Sequence, residues 1–327
     1  MMARRLKIGD SSGKAPRAIP GVPAPLSSAG RAHSLAQTLE IALDVMNLTL
    51  GYEAVMGLSG LAWRTPPWPK DPTLSCEEAV AAAESLGAAL GGSIRLIRGD
   101  DGPSPMEAYA LVQAAVDAGR PSVALGWGSV KDEWSIVCGY DPSKERLLGH
   151  CLLDEPREQY ESWPPEFALL LTLTSTPRPS GRDAIDRSLR AASQRLSTEG
   201  ASSLRECARE LRESEEVPSF THEVAIELLA DARSSAAGFA EQVAHHSGEI
   251  AAAWLMQAAN LWRSEVELIE SRGAPHTPEA LAWLETREGR EAWAATIERA
   301  ASLDERAAGA VKCSSTADYL PSEVDAP

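Results

Sequence analysis

Residues 132–141, DEWSIVCGYD, decide how the chain is read. Ile136, Val137 and Cys138 form a short apolar run, and Gly139-Tyr140-Asp141-Pro142 closes it as a turn, so the stretch reads as a strand. Outward from it lie similar runs: SIRLI (93–97), SVALGW (122–127), RLLGHCLL (146–153) and FALLLTL (167–173). Turn residues separate them, which predicts that the last four of the five runs pair as antiparallel neighbours. Helical patterns precede and interleave with the strands. Leu35, Leu39, Ala42, Leu43 and Met46 recur at helical spacing, and SCEEAVAAAESLGAAL opens on Ser75 as an N-cap with glutamates in its first turn. SPMEAYALVQAAVDAGR repeats that pattern, with Ser104 as the cap.

TSTPRPSGRD (174–183) has the composition of a linker, and beyond it the chain reads as helix rich in Ala, Leu, Glu and Arg. In one of these helices Ile250, Trp254, Ala258, Leu261 and Ile269 share a face. The fold class expected is therefore α+β: N-terminal helices with an antiparallel sheet over 33–176, then an all-α helical bundle over 177–312. Residues 1–32 are expected to be a flexible basic tail, because Arg4, Arg5, Lys7, Lys14, Arg17 and Arg31 face only Asp10. Residues 313–327 are expected to be a flexible C-terminal tail.

Composition excludes some functions. A net charge of −16 and a pI near 4.9 argue against nucleic-acid binding, which needs a basic face. No stretch approaches the ~20 apolar residues of a membrane helix, and no apolar run follows the basic start as a signal peptide requires. Cys76, Cys138, Cys151, Cys207 and Cys313 are odd in number and contain no CxxC pair, so neither a disulfide framework nor a zinc knuckle is indicated. A cytoplasmic protein with reduced thiols is the expectation.

Several motifs reduce to structure. GDSSGKAP (9–16) is one residue short of a phosphate-binding loop, has Ala15 where a hydroxyl should meet magnesium, and continues into Pro16. His245 and His246 diverge by about 100° on a helix, and HHSGE reads as a break between helices, so no metal is assigned there. Trp254, Trp262, Trp283 and Trp293 read as packing between helices. No cofactor is expected.

One constellation carries chemistry. A helix starting near Ser34 offers the positive end of its dipole to a nucleophile. The strand 134–140 follows with Glu133-Trp134 at its head, and the next strand leads to Asp154. Nucleophile, base and orienting group in this order match the logic of a triad. SLAQTLEIALDVMNLTLGYEAVMGLSGLAWR resembles the opening helix of bacterial papain-like proteins, namely the double-glycine-leader peptidases and the butirosin-pathway acyltransferase-like family. Tyr52-Glu53 and Gly57-Leu58-Ser59-Gly60 carry the likeness, with Gly139-Tyr140-Asp141 in the later strand. The similarity covers roughly 33–173 and implies a papain-like fold.

By that resemblance Ser34 falls at the nucleophilic cysteine and Glu133 or Trp134 at the histidine, with Asp154 as the orienting group. Serine needs a strong positioned base, and the usual histidine is replaced. The resemblance thus implies a pseudoenzyme that keeps the scaffold and binds a peptide, an acyl-carrier conjugate or a small metabolite in the ancestral cleft. Two alternatives stand beside it: an active acyltransferase or amidohydrolase using Ser34, and an interaction scaffold acting through the helical domain.

Overall fold

The structure is a computed structural model that describes residues 15–26, 31–68, 70–99, 105–128, 131–152, 160–175, 178, 181–214, 217, 219–272 and 277–317. The chain divides into two compact units, each built from separated stretches. A sheet unit takes the described residues within 1–27, 37–49 and 92–177, and a helical unit takes those within 28–36, 50–91 and 178–327. The division falls inside the first helix, α1 (Ser34–Val45). The described residues within 50–91 thus share a unit with the later helices rather than with the sheet.

Among the described residues the sheet unit contains β1 (Arg17–Ala18), β2 (Ile94–Arg98), β3 (Ser122–Leu125), β4 (Trp134–Asp141), β5 (Arg146–His150), β6 (Glu161–Trp163) and β7 (Leu169–Leu173), with α4 (Pro105–Asp117). The sheet is antiparallel throughout, in the order β2-β7-β3-β4-β5-β6, with β1 on β4. The meander β3-β4-β5 is the expected one. β7 differs: it does not follow β5 but returns to lie between β2 and β3. Its neighbour in sequence, β6, takes the place beside β5.

β4 is buried along its whole length, as is β7. That explains their continuous apolar runs, since a strand covered on both faces has no polar side to alternate with. On one face α4 lays Tyr109, Val112 and Val116 over Val137, Leu147 and Leu170. The GYD turn has three separate structural causes. A Cβ on Gly139 would lie 2.6 Å from the carbonyl oxygen of Arg17, so only glycine lets β1 pair there. The Tyr140 hydroxyl donates to Asp117 Oδ1 at the end of α4 (2.8 Å). Asp141 Oδ1 accepts from the Ser143 amide (2.9 Å) and closes the turn into β5.

β1 also corrects the expected N-terminal tail. Residues 15–26 are ordered, Arg17 and Ala18 pair with Tyr140 and Gly139, and the Ile19 amide donates to the Cys138 carbonyl (2.8 Å). Short length and flanking prolines hide this strand from any periodicity. Most of GDSSGKAP lies outside the described residues.

The helical unit holds α2 (Tyr52–Ser59), a 3₁₀ turn (Leu61–Trp63), α3 (Cys76–Ala89), α5 (Arg182–Arg195), α6 (Ala201–Glu213), α7 (Ser219–Ala244), α8 (Glu249–Glu270), α9 (Pro278–Leu284) and α10 (Arg287–Thr316). Ser75 is the expected cap of α3, in a full capping box with Glu78. α5 and α6 are joined by a π-helical turn at Leu196–Gly200. α10 runs through Thr316, so the first residues assigned to the C-terminal tail are helical. His245 and His246 do lie in the turn between α7 and α8. No described helix is long and apolar enough to cross a membrane, and no described cluster of His, Cys, Asp and Glu is suited to a metal.

α8 corrects another expectation. Ala258, Leu261 and Ile269 are buried, but Ile250 is 65% and Trp254 36% exposed. The buried face runs instead through Leu255, Ala258, Trp262 and Glu265, because Trp262 packs on Trp63 at 5.6 Å between ring centroids. Trp293 is buried as expected, edge-on to His222 (4.9 Å).

Beside this packing is a buried ionic cluster. Arg233 on α7 is fully buried and donates to Asp304 Oδ2 of α10 (2.6 Å), to the carbonyls of Ala62 and Arg64 (3.3 and 3.0 Å) and to Thr65 Oγ1 (3.0 Å). Glu265 of α8 is 3.5 Å from Arg233 Nε. Burial, then the charge of Asp304, holds the Glu265 carboxyl well above the usual range, which favours its protonated form. Removing the cation strands Asp304, whereas glutamine copies a protonated glutamate. Arg233→Met should cost about 3–5 kcal/mol in urea unfolding. Glu265→Gln should stay within ~1 kcal/mol of the parent. Equal losses for the two variants would refute this charge assignment.

Candidate functional site

The start of α1 was the expected nucleophile position. Ser34 is the first helical residue and is 7% exposed, so the cap position falls to His33 rather than to Ser34. The two residues before Ser34 are fastened from α7. Asp231 Oδ2 accepts hydrogen bonds from the amides of Ala32 (2.9 Å) and His33 (3.2 Å) and from the Tyr52 hydroxyl (2.7 Å). The His33 amide also donates to the Tyr52 oxygen at 3.2 Å, and the Arg31 guanidinium lies 5.0 Å over the Tyr52 ring.

α7 serves two clusters because Asp231 and Arg233 are two residues apart, and a step of two turns a helix by about 200°. Asp231 faces the α1 start and Arg233 the ionic cluster. Asp231 Oδ1 is buried without a hydrogen-bond partner. Burial raises the Asp231 carboxyl from 3.8 to about 6, against the opposing effect of its three donors. Burial and the neighbouring Asp231 likewise hold the Tyr52 phenol protonated.

His33 is the imidazole nearest in sequence to Ser34. It is buried, its Nε2 has no hydrogen-bond partner, and burial followed by the charge of Arg64 pushes it down to about 3. Arg64 is itself buried, bound to Glu78 Oε1 (2.9 Å) and to the carbonyls of Pro72 and Thr73 (2.7 and 2.8 Å). The residues that carry the sequence likeness are structural in this unit. Tyr52 holds Asp231, and Gly57 is packed so tightly that a Cβ would lie 2.4 Å from the Phe239 ring.

The other expected site residues belong to the sheet unit. Trp134 opens β4, pairs with Leu125 and is 3% exposed; Glu133 precedes it and is half-buried. Asp154 lies outside the described residues. Two of the buried thiols are held in their protonated form: burial pushes Cys138 up to about 12 and raises Cys207 as well. Cys138 is the extra residue of a bulge in β4 opposite β5.

No protein-family model matches the chain, and no curated protein matches it. The functional reading rests on residues alone.

Sequence reasoning missed Asp231. Its one signal is an acid inside the apolar run of α7, AIELLADARSSAAGFA, where a charged residue needs a buried partner. Nothing local points to a partner some two hundred residues away.

Two outcomes are expected. A carboxyl raised in the folded chain stabilises it below the unfolded value of 3.8, and that contribution is lost as pH rises through about 6. The full difference is about 3 kcal/mol. His33, at about 3, and His222, which burial lowers to about 4, act in the opposite sense, losing stability as pH falls. Those contributions cancel when parent and Asp231→Asn are compared at each pH. The variant should therefore gain about 2 kcal/mol on the parent between pH 4 and pH 7 in chemical denaturation; a constant difference would refute the raised carboxyl. Trp134→Ala should cost about 3–5 kcal/mol, because a core tryptophan is deleted. A loss comparable with that of a surface substitution would show that the indole is not core.

Proposed function

We propose that the chain is a catalytically degenerate papain-like protein that acts by binding a peptide, an acyl-carrier conjugate or a small metabolite. The observation that carries this reading is the state of His33. A general base works best with a pKa near the operating pH, and an imidazole held at about 3 is too weak to activate a serine hydroxyl. The carboxyl at the α1 start, Asp231, has one oxygen committed to two backbone amides and a phenol and the other buried in the protein. Ionisable groups around Ser34 thus support a fixed corner of the fold rather than proton transfer.

Trp134 supports the same reading. The indole stands where the resemblance puts a histidine, and its burial adds apolar area in place of a polar base. Binding without turnover asks only for a shaped surface, which a stable corner supplies.

A fluorophosphonate or an activated ester tests the proposal directly. Parent and Ser34→Ala are incubated with the probe, and intact mass is recorded. Neither protein should gain covalent mass, and the variant should fold like the parent. An adduct on Ser34 in the parent, absent in the variant, would replace this reading with that of an active acyltransferase or amidohydrolase.

A further inference from the structure

The two ends of the sheet are protected differently. β6, at one end, is three residues long, carries Glu161 and runs into Pro164-Pro165, so it offers another chain little edge to pair with. β2, at the other end, is five residues long, IRLIR, with no proline and no lysine. Its register on β7 is regular from Ile94 opposite Leu173 to Arg98 opposite Leu169, without a bulge to turn the edge away. Among the described residues β2 pairs with β7 alone.

Two hydrogen bonds at the ends of this strand fix which residues face outward. The Thr174 amide donates to the Ser93 carbonyl (2.9 Å), and the Gly99 amide donates to the Ala168 carbonyl (3.0 Å). Odd-numbered residues of β2 therefore turn their backbone groups toward β7. By alternation, the amides and carbonyls of Ile94 and Leu96 point away from the sheet. These outward groups meet no partner among the described residues. Ile94 and Leu96 are half-buried on one face of the strand, with Arg95 exposed and Ile97 buried on the other.

The geometry points to a second copy of this chain as the occupant of the edge: β2 pairs antiparallel with its own counterpart across a two-fold axis at Leu96. Main-chain hydrogen bonds supply the attraction, as in other cases of strand addition. In this register Leu96 meets Leu96 of the second copy, Arg95 comes opposite Ile97, and Arg98 comes opposite Ile94. No arginine directly faces another, and like charges directly opposite are destabilising. Other arrangements lose this complementarity. Parallel in-register stacking sets Arg95 on Arg95 and Arg98 on Arg98. An antiparallel pair centred on Arg95 or on Arg98 sets that arginine against itself, and one centred on Ile97 leaves Ile94 beyond the end of the other strand. A two-fold axis also closes the assembly at two copies, because each β2 has one open edge. A contact of five residues a side is small for a stable interface, so association belongs to high protein concentration. The inference concerns the sheet unit alone and does not depend on the papain-like reading.

Sedimentation velocity of the full chain, from low-micromolar to submillimolar concentration, tests it. The mass should rise from 34.9 kDa toward twice that value and go no further. Leu96→Glu and Leu96→Lys each place like charges on the two-fold axis from a half-buried edge position, and both should melt like the parent. Either variant alone should associate about fivefold more weakly or worse. An equimolar mixture of the two should restore the dimer, since glutamate then meets lysine across the axis. The inference is overturned if the parent stays monomeric, if it grows beyond two copies, if either variant alone associates like the parent, or if the mixture fails to recover the dimer. Should the variants melt low, hydrogen exchange of the parent takes their place. The Ile94 and Leu96 amides should then exchange more slowly at the high concentration than at the low one, and equal rates would overturn the pairing.

Discussion

A single guanidinium organises the helical unit. Arg233 has no exposure to water, so its donors need acceptors inside the protein, and both terminal nitrogens find them while Nε stands 3.5 Å from the Glu265 carboxyl. The acceptors come from α10 and from the chain just after the 3₁₀ turn, and the nearby carboxyl comes from α8. Helices that apolar contact alone would let slide are thereby held in one register. Such clusters contribute little net stability, because desolvation opposes the Coulomb attraction. Their effect is to make alternative packings leave a charge stranded. The Trp63, Phe239 and Trp262 rings then pack around a backbone segment whose carbonyls are already committed.

The same helix fixes the beginning of α1. Asp231 does for two backbone amides and a phenol what Arg233 does for two carbonyls and a carboxylate. Both are long-range ties from α7, and both are made by residues that would be unwelcome in an apolar helix without them. Polar groups placed in this way make a rigid corner around Ser34. The imidazole that flanks the serine is set far below the value that proton transfer needs.

How much of this was legible in the sequence depends on range. Ser75 and Glu78 announce the start of α3 because a capping box is written within four residues. The β3-β4-β5 meander and the helical second half were equally plain, since turn chemistry and periodicity are local. Trp254 was assigned to the core with Trp262, yet only the latter is buried; spacing places residues on a face but does not say which face meets a partner. β7 was placed beside its sequence neighbour, although its partners β2 and β3 come much earlier in the chain. Strands buried on both faces give no alternation from which to read such pairing. Of the candidate site, Ser34 and Trp134 were visible as positions, whereas Asp231 was not, because nothing near it in sequence needs it.

β1 has a consequence for how the protein is handled. Beyond Cys138 the edge of β4 that β3 serves elsewhere is met by Arg17 and Ala18. Tyr160 adds a hold on the same segment, its hydroxyl donating to the Ile19 carbonyl at 2.6 Å. A chain trimmed to the boundary that composition suggests, residue 33, would lose this short cover. It would leave the backbone of Gly139 and Tyr140 open on that side, next to an apolar strand. Unpaired strand edges invite pairing with other chains. Trimming a segment that looks dispensable would thus convert an internal seam into an adhesive one, and solubility rather than fold would be the first property to suffer.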